Sequence, residues 1–154
     1  MAAGTRVYVD GPHGVFSMDQ RQAPGYVFIA GGVGVTPLYS MLLTMRERED
    51  VRPVTLFYAS DTWDDVVFRE ELAELSATMP NLRVVHVLDR PPPGWTGDSG
   101  LITPDLLRRH LPRQFHRYEY LICGSPRMID AMEDALVTVG VPFRQVSTER
   151  FDMV

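Results

Sequence analysis

The fold is decided by residues 29–37, IAGGVGVTP, in which an apolar segment leads through three glycines to a threonine and a proline. This order favours phosphate binding, because glycines admit a pyrophosphate close to the backbone and a helix start attracts negative charge. We expect Thr36 to cap the helix and Pro37 to take its first position. A tight turn without a ligand is the alternative interpretation, and this stretch alone does not decide between the two.

A second stretch, residues 120–128, YLICGSPRM, repeats the order of apolar strand, glycine, hydroxyl residue and proline, and contains the only cysteine, Cys123. In a doubly wound sheet the two stretches flank the point where the strand order reverses, so the glycine turn and Cys123 would face each other across the ligand crevice. The pair therefore predicts a hydride-transfer site, in which the reactive ring of a dinucleotide lies against the cysteine. Cys123 as a small buried hydrophobic residue is the alternative. A thiolate nucleophile is disfavoured, because no histidine lies in a partner motif.

The rest of the chain alternates strand-like runs with apolar residues at helical spacing. The strand-like runs occupy residues 26–30, 54–59, 82–88, 118–123 and 144–148. This order predicts an α/β fold, a three-layer α/β/α sandwich with a five-stranded parallel sheet in the order 3-2-1-4-5. Thr103 and Pro104 predict the capped start of a short helix after the third strand.

The beginning of the chain does not fit this repeat. Val7 and Val9 predict one strand, which a turn follows. We interpret residues 1–20 as the tail of a different domain and residues 21–154 as the nucleotide-binding domain.

The composition excludes several classes of function. The chain has 154 residues, 45% of them hydrophobic, and a net charge of −5, which argues against a broad nucleic-acid-binding surface. All 15 cationic residues are arginines, so a Walker-type phosphate loop, which needs lysine, is excluded. The histidines lack metal-ligand spacing, so no metal site is expected. A single cysteine fits a reducing compartment, and we expect a cytoplasmic protein.

Together, the motifs resemble the pyridine-nucleotide-binding domain of the ferredoxin–NADP reductase superfamily. Residues 11–14, GPHG, are similar to its Gly-Pro-x-Gly turn beside the flavin, residues 31–37 to its pyrophosphate loop, and residues 123–128 to its Cys-Gly-Pro-x-x-Met motif. Ser125 departs from that motif, which has proline there. The terminal residues 148–154 most resemble bacterial ferric-reductase-like membrane flavoproteins, which are relatives of NADPH oxidases.

The resemblance implies that the domain delivers a hydride from NAD(P)H to FAD, which passes electrons on to haem, iron or an iron–sulfur centre. It places Cys123 beside the reacting carbon, gives Glu149 a polarising or proton-relaying role, and makes Phe151 a cover for the flavin. The FAD would be held by a barrel domain in the same full-length chain, so we expect these 154 residues alone to carry no flavin and to show almost no reductase activity. The residues implied to bind the cofactors are Pro12, His13, Gly31, Gly32, Val33, Gly34, Thr36, Pro37, Ser60, Asp89, Arg90, Gly124, Ser125 and Met128.

Asp89 and Arg90 follow the third predicted strand, where the resemblance implies that the adenosine ribose lies. An ionised Asp89 would accept hydrogen bonds from both ribose hydroxyls and repel a 2′-phosphate, so NADH is expected rather than NADPH. Arg90 is the counter-argument, because a guanidinium pairs with phosphate unless a neighbouring carboxylate holds it. A salt-bridged or solvated loop pair without a ligand is an equally good interpretation.

A function of another class also agrees with the sequence, namely a non-catalytic module that senses a nucleotide or serves in regulatory docking. The presence of Cys123 and the glycine turn argues against this non-catalytic alternative. For the reductase, the expected location is the cytoplasm, or the cytoplasmic side of a membrane if the full-length chain is membrane-bound.

Overall fold

The computed structural model describes residues 4–6, 8 and 14–151. The strand predicted from Val7 and Val9 lies outside these residues. Pro12 and His13 lie outside them as well, so their predicted part in the flavin-side turn stays a prediction.

Residues 16–21 are attached to the rest of the protein by apolar and polar contacts. Met18 is buried. The Asp19 carboxylate accepts two hydrogen bonds from the guanidinium of Arg48, at 2.8 and 3.2 Å. Arg21 pairs with Glu119 of the sheet, with Nη1 and Oε1 2.9 Å apart. Residues 16–21 therefore pack against the nucleotide-binding domain.

A single sheet of six parallel strands forms the centre of the protein. The strands are β1 (Tyr26–Gly31), β2 (Val54–Ser60), β3 (Leu82–Leu88), β4 (Asp98–Ser99), β5 (Glu119–Gly124) and β6 (Val146–Arg150). Their order is β4-β3-β2-β1-β5-β6, so the five predicted strands lie in the predicted order 3-2-1-4-5. The predicted fold class is confirmed.

Two details of the sheet differ from the prediction. The sheet has a sixth strand, β4, which consists of two polar residues paired with the end of β3 and is too short to show a strand pattern. The last strand begins at Val146 instead of residue 144, because Phe143–Gln145 form a 3₁₀ turn.

Four α-helices cover the two faces of the sheet. They are α1 (Val35–Glu47), α2 (Arg69–Thr78), α3 (Pro104–His110) and α4 (Pro126–Val139). α1 and α2 pack on one face, where Leu38 is fully buried, and α3 and α4 pack on the other, where Leu106 and Ile129 are buried. Along β1, Phe28 belongs to the first of these cores and Ile29 to the second. Because the central strands are buried on both sides, their sequences are continuously apolar.

The starts of α3 and α4 both have a side-chain cap, which for α3 is the predicted Thr103. The Thr103 hydroxyl accepts a hydrogen bond from the backbone N–H of Leu106 at 3.2 Å, and the Ser125 hydroxyl accepts one from that of Met128 at 3.3 Å. A proline follows each cap in the first turn. Both helices therefore begin where the local sequence predicts.

The start of α1 differs from the prediction. Thr36 does not cap the helix; Gly34 is the N-cap residue, and no side chain caps this end. The reason is that Gly32–Gly34 wind into a 3₁₀ turn that leads directly into α1. Thr36 and Pro37 are consequently the second and third residues of the helix, where proline is still tolerated because the first N–H groups have no intrahelical acceptor.

β1 and β5 are neighbours at the point where the strand order reverses, and the chain leaves them toward opposite faces of the sheet. Gly34 lies directly against the end of β5. A Cβ atom on Gly34 would overlap the carbonyl oxygen of Cys123 and lie 2.9 Å from the backbone nitrogen of Gly124. Only a residue without a side chain allows this approach, which brings the two motif stretches into backbone contact.

We expect Gly34→Ala to lower the free energy of unfolding by about 2–3 kcal/mol, because the Cys123 carbonyl belongs to a central strand and cannot move aside. Gly32→Ala is the matched control. Gly32 has a φ of 51° and open space at its Cβ position, so only the left-handed backbone is penalised. That penalty is about 1 kcal/mol. Urea unfolding of both variants measures the difference, and equal losses would contradict the close approach.

Candidate functional site

The candidate site lies at the carboxyl ends of β1 and β5, where Met128 packs beside two glycines. A Cβ atom on Gly31 would overlap Sδ of Met128, and one on Gly124 would lie 2.8 Å from it. The two glycines therefore leave space for the thioether, which comes from the first turn of α4. Three residues that the sequence predicts for the site are in this way brought together.

A cavity of about 370 Å³ opens beside Met128, between α4 and the segment that leads into α3. This size is within the range of small-molecule sites. The residues that line it are Ala59, Leu101, Ile102, Ser125, Arg127, Met128, Ala131 and Met132. Ser125 and Met128 were predicted. Leu101 and Arg127 were missed, because they are exposed residues without a motif of their own; the only signal is the position of Arg127 inside the second stretch.

The start of α1 presents backbone groups to the same edge of the sheet. No side chain caps this helix, and Val33 at the tip of the turn is 51% exposed. The positive end of the helix dipole attracts an anion. Phosphate binding by the glycine turn therefore stays a prediction, and Thr36 is not the cap of the helix that follows it.

Cys123 is the last but one residue of β5 and lies between Ala30 of β1 and Glu149 of β6. It has no exposed surface and belongs to the apolar core under α1 and α2. Burial, and to a smaller extent the charge of Glu149, raise the pKa of the thiol to about 12. The thiol is therefore protonated at neutral pH, which argues against a thiolate nucleophile.

Glu149 and Phe151 meet Cys123 at the end of β6. Glu149 is exposed and directly opposite Cys123 in the strand register. The backbone N–H of Phe151 donates to the carbonyl of Gly124 at 3.0 Å, and its half-buried ring packs against the core that contains Cys123. The three residues predicted to act in catalysis are therefore neighbours. A ring could reach the thiol only if the side chains that cover it moved.

The ends of β2 and β3 carry the remaining predicted residues. The backbone N–H of Asp89 donates to the carbonyl of the buried Ser60 at 3.0 Å. Nε of Arg90 donates to Oδ1 of Asp61 at 2.8 Å, and its Nη2 donates to Oδ2. This pairing lowers the pKa of the Asp61 carboxyl group. Arg90 is thus salt-bridged to Asp61, a residue that the sequence did not single out, and not to Asp89, which is exposed at the edge of the sheet.

Two kinds of feature are absent from residues 4–6, 8 and 14–151. No group of three or more histidine, cysteine or carboxylate side chains is placed to hold a metal ion there. No helix in the same residues has the length and apolarity needed to cross a membrane.

The family model described as "Oxidoreductase NAD-binding domain" matches residues 28–134. The chain belongs to this family. The matched range begins in β1 and ends in α4, so it includes both stretches that form the site. The predicted resemblance to the nucleotide-binding half of ferredoxin-reductase-like proteins is confirmed.

Among curated relatives, the oxidoreductase NAD-binding domain is similar to NADH-cytochrome b5 reductase 1 of two yeasts. Identity to the Debaryomyces hansenii protein is 37% over 139 residues, 89% of this chain and 49% of that protein. Identity to the Lodderomyces elongisporus protein is also 37% over 139 residues, 89% of this chain and 46% of that protein. The chain spans about half the length of these relatives. The expected proximity to ferric-reductase-like flavoproteins is not supported by these relatives.

Solved structures show the same fold. The cytochrome b5 reductase domain of Ulva prolifera nitrate reductase has a TM-score of 0.77 and 29% identity, with 84% of this chain and 49% of that chain covered. Amycolatopsis cytochrome P450 reductase has a TM-score of 0.77 and 26% identity, with 92% of this chain and 42% of that chain covered.

We expect Cys123 to resist alkylation in the native protein. Since its thiol is buried and has a pKa of about 12, iodoacetamide at pH 8 should label it far more slowly than in urea, where the thiol has its ordinary pKa of about 8.5. Phe151→Ala, which removes the half-buried ring near Cys123, should speed up native labelling. Phe143→Ala, which removes a ring that is 64% exposed, should not. Mass spectrometry measures labelling, and fast native labelling of the wild type would contradict the burial.

Proposed function

We propose that the domain binds NADH as one half of a flavin-dependent reductase whose other half holds FAD, with haem or an iron–sulfur centre as the next acceptor. The observation that carries the proposal is the backbone contact between Gly34 and the end of β5. The glycine turn thereby lies beside the backbone of Cys123 at the reversal of the strand order, where α/β sheets bind dinucleotides, and this supports a role in phosphate binding. The relatives named NADH-cytochrome b5 reductase support it.

The residues at the sheet edge fit a dinucleotide. The uncapped start of α1 is suited to the pyrophosphate, and the cavity beside Ser125 and Met128 is large enough for a nucleoside portion. A reduced nicotinamide supplies a hydride, and a flavin accepts it.

In this proposal the uncharged thiol of Cys123 contacts the nicotinamide ring and acts neither as an acid nor as a base. Its raised pKa keeps the thiol uncharged, so once the side chains that cover it move aside it can pack against an uncharged ring without the cost of burying a charge. Misplacement of reacting atoms by ~1 Å can cost about 100-fold in rate, so a side chain that fixes the position of the ring matters for the chemical step. Glu149, exposed and opposite Cys123, is in a position to polarise the ring or to exchange a proton with solvent.

A chimera tests this function. We would join the chain to the flavin-binding part of the Debaryomyces hansenii relative and follow the flavin absorbance in a stopped-flow instrument. NADH should bleach the flavin, and Cys123→Ala should slow the bleaching at saturating NADH more than it weakens NADH binding. If NADH binds but never reduces the flavin of a folded chimera, the non-catalytic sensing module is the better interpretation.

The preference for NADH is the second part of the proposal, and the arrangement of charges supports it. Asp89 places an exposed carboxylate at the end of β3, whereas the guanidinium of Arg90 is held by Asp61. Repulsion between two charges about 4 Å apart is roughly 1–4 kcal/mol, which corresponds to a preference of about 5- to 1000-fold for NADH.

We expect Asp89→Ser to raise the affinity for NADPH and to lower that for NADH, because the repulsion and the ribose acceptor are both removed. Calorimetric titration of each dinucleotide into the purified chain measures this. Asp134→Ser, which removes an exposed carboxylate from the middle of α4, is the control and should change neither affinity. Equal affinity of the wild type for both dinucleotides, unchanged by Asp89→Ser, would show that Asp89 does not discriminate.

A further inference from the structure

An ion pair between Asp61 and Arg90, with two hydrogen bonds, joins the loop after β2 to the loop after β3. The backbone N–H of Arg90 donates to the carbonyl of Asp61 at 2.7 Å, and the guanidinium of Arg90 donates to both carboxylate oxygens of Asp61. We infer that Asp61 is a specificity-determining residue: by holding Arg90, it removes the cation that would otherwise recognise a 2′-phosphate. This inference rests on the proposed binding of a dinucleotide, with its adenosine ribose at the end of β3.

The geometry of the pair makes Asp61 a direct competitor of a phosphate. A guanidinium recognises carboxylates and phosphates in the same way, through two parallel N–H groups in one plane. Nε and Nη2 of Arg90 are both directed to Asp61. A 2′-phosphate at the neighbouring ribose would therefore have to displace Asp61 before it could bind the guanidinium of Arg90.

The charge around Arg90 also opposes a phosphate. Asp61, Asp65 and Asp89 all raise the pKa of the Arg90 guanidinium, so the negative potential of three carboxylates acts on it. A phosphate entering beside Arg90 would face these carboxylates as well as the one cation. Removal of the Asp61 charge both releases the guanidinium of Arg90 and reduces the negative potential around it.

Asp61 is held in place by the structure of its loop. The hydroxyl of the buried Tyr58 accepts a hydrogen bond from the backbone N–H of Val67 at 3.0 Å. The rings of Trp63 and Trp95 lie 5.2 Å apart and connect this loop to the one that follows β3. The ion pair itself is exposed, at 50% for Asp61 and 69% for Arg90, so it contributes little to stability. Its effect is to orient Arg90, and a substitution should leave the fold intact.

The test is Asp61→Asn, with NADH and NADPH titrated into the purified chain by calorimetry. We expect the affinity for NADPH to rise about tenfold and that for NADH to change less than about twofold, since a charge-assisted contact to phosphate is gained and no ribose contact is lost. Asp61→Ala, which lacks even an amide acceptor for Arg90, should give at least as large a gain. Adenosine 2′,5′-bisphosphate should gain affinity in both variants, and adenosine 5′-monophosphate should not.

Two controls separate this mechanism from a general effect of charge or of folding. In the double variant Asp61→Asn/Arg90→Gln the gain for NADPH should disappear, because it passes through Arg90. Asp19→Asn breaks an ion pair with Arg48 that is similarly exposed and doubly hydrogen-bonded, and should leave both affinities unchanged. Thermal unfolding confirms that each variant is folded.

The outcomes distinguish this inference from the function on which it rests. If the wild type binds neither dinucleotide, the proposed function fails and the inference fails with it. If the wild type binds NADH but Asp61→Asn and Asp61→Ala leave the affinity for NADPH unchanged, only the inference is overturned. A gain that persists in the double variant also overturns it, since Arg90 would then not be the group that Asp61 controls.

Discussion

The contact between Gly34 and the end of β5 is the constraint on which the site depends. It requires a glycine where the chain turns from β1 into α1, and it places the start of that helix against the carbonyl of Cys123. Because both neighbouring strands end here and their helices leave to opposite faces, a crevice forms at this edge. The cavity beside Met128 lies on the α3 and α4 side of this edge, and the buried thiol of Cys123 lies on the α1 and α2 side.

Periodic and local features of the sequence were sufficient for most of the fold. Continuous apolar runs identify the buried parallel strands, and a hydroxyl residue before proline identifies the starts of α3 and α4. The predicted start of α1 was wrong, because the glycine turn and the pair Thr36 and Pro37 are competing signals for the start of the helix. The N-cap is Gly34, two residues before Thr36, and the packing of Gly34 on β5 is a contact between distant segments. β4 has no periodic signal, since it is an edge strand of two polar residues.

The same difference between local sequence signals and contacts of distant segments applies to the candidate site. Residues inside the two motif stretches were predicted correctly as neighbours, and the structure brings Gly31, Gly124 and Met128 together. Partners from separate loops could not be predicted. Asp61 and Arg90 are 29 positions apart, and the sequence alone does not show which carboxylate Arg90 selects. The complete burial of Cys123 also depends on side chains from several elements.

The packing of Trp63 on Trp95 has a consequence for protein engineering. The two rings join the loop that carries Asp61 to the loop that carries Arg90, so these loops behave as one structural unit. A graft that replaced either loop with that of a relative would leave a tryptophan against a surface that does not fit it. A graft into this chain should therefore transplant both loops together.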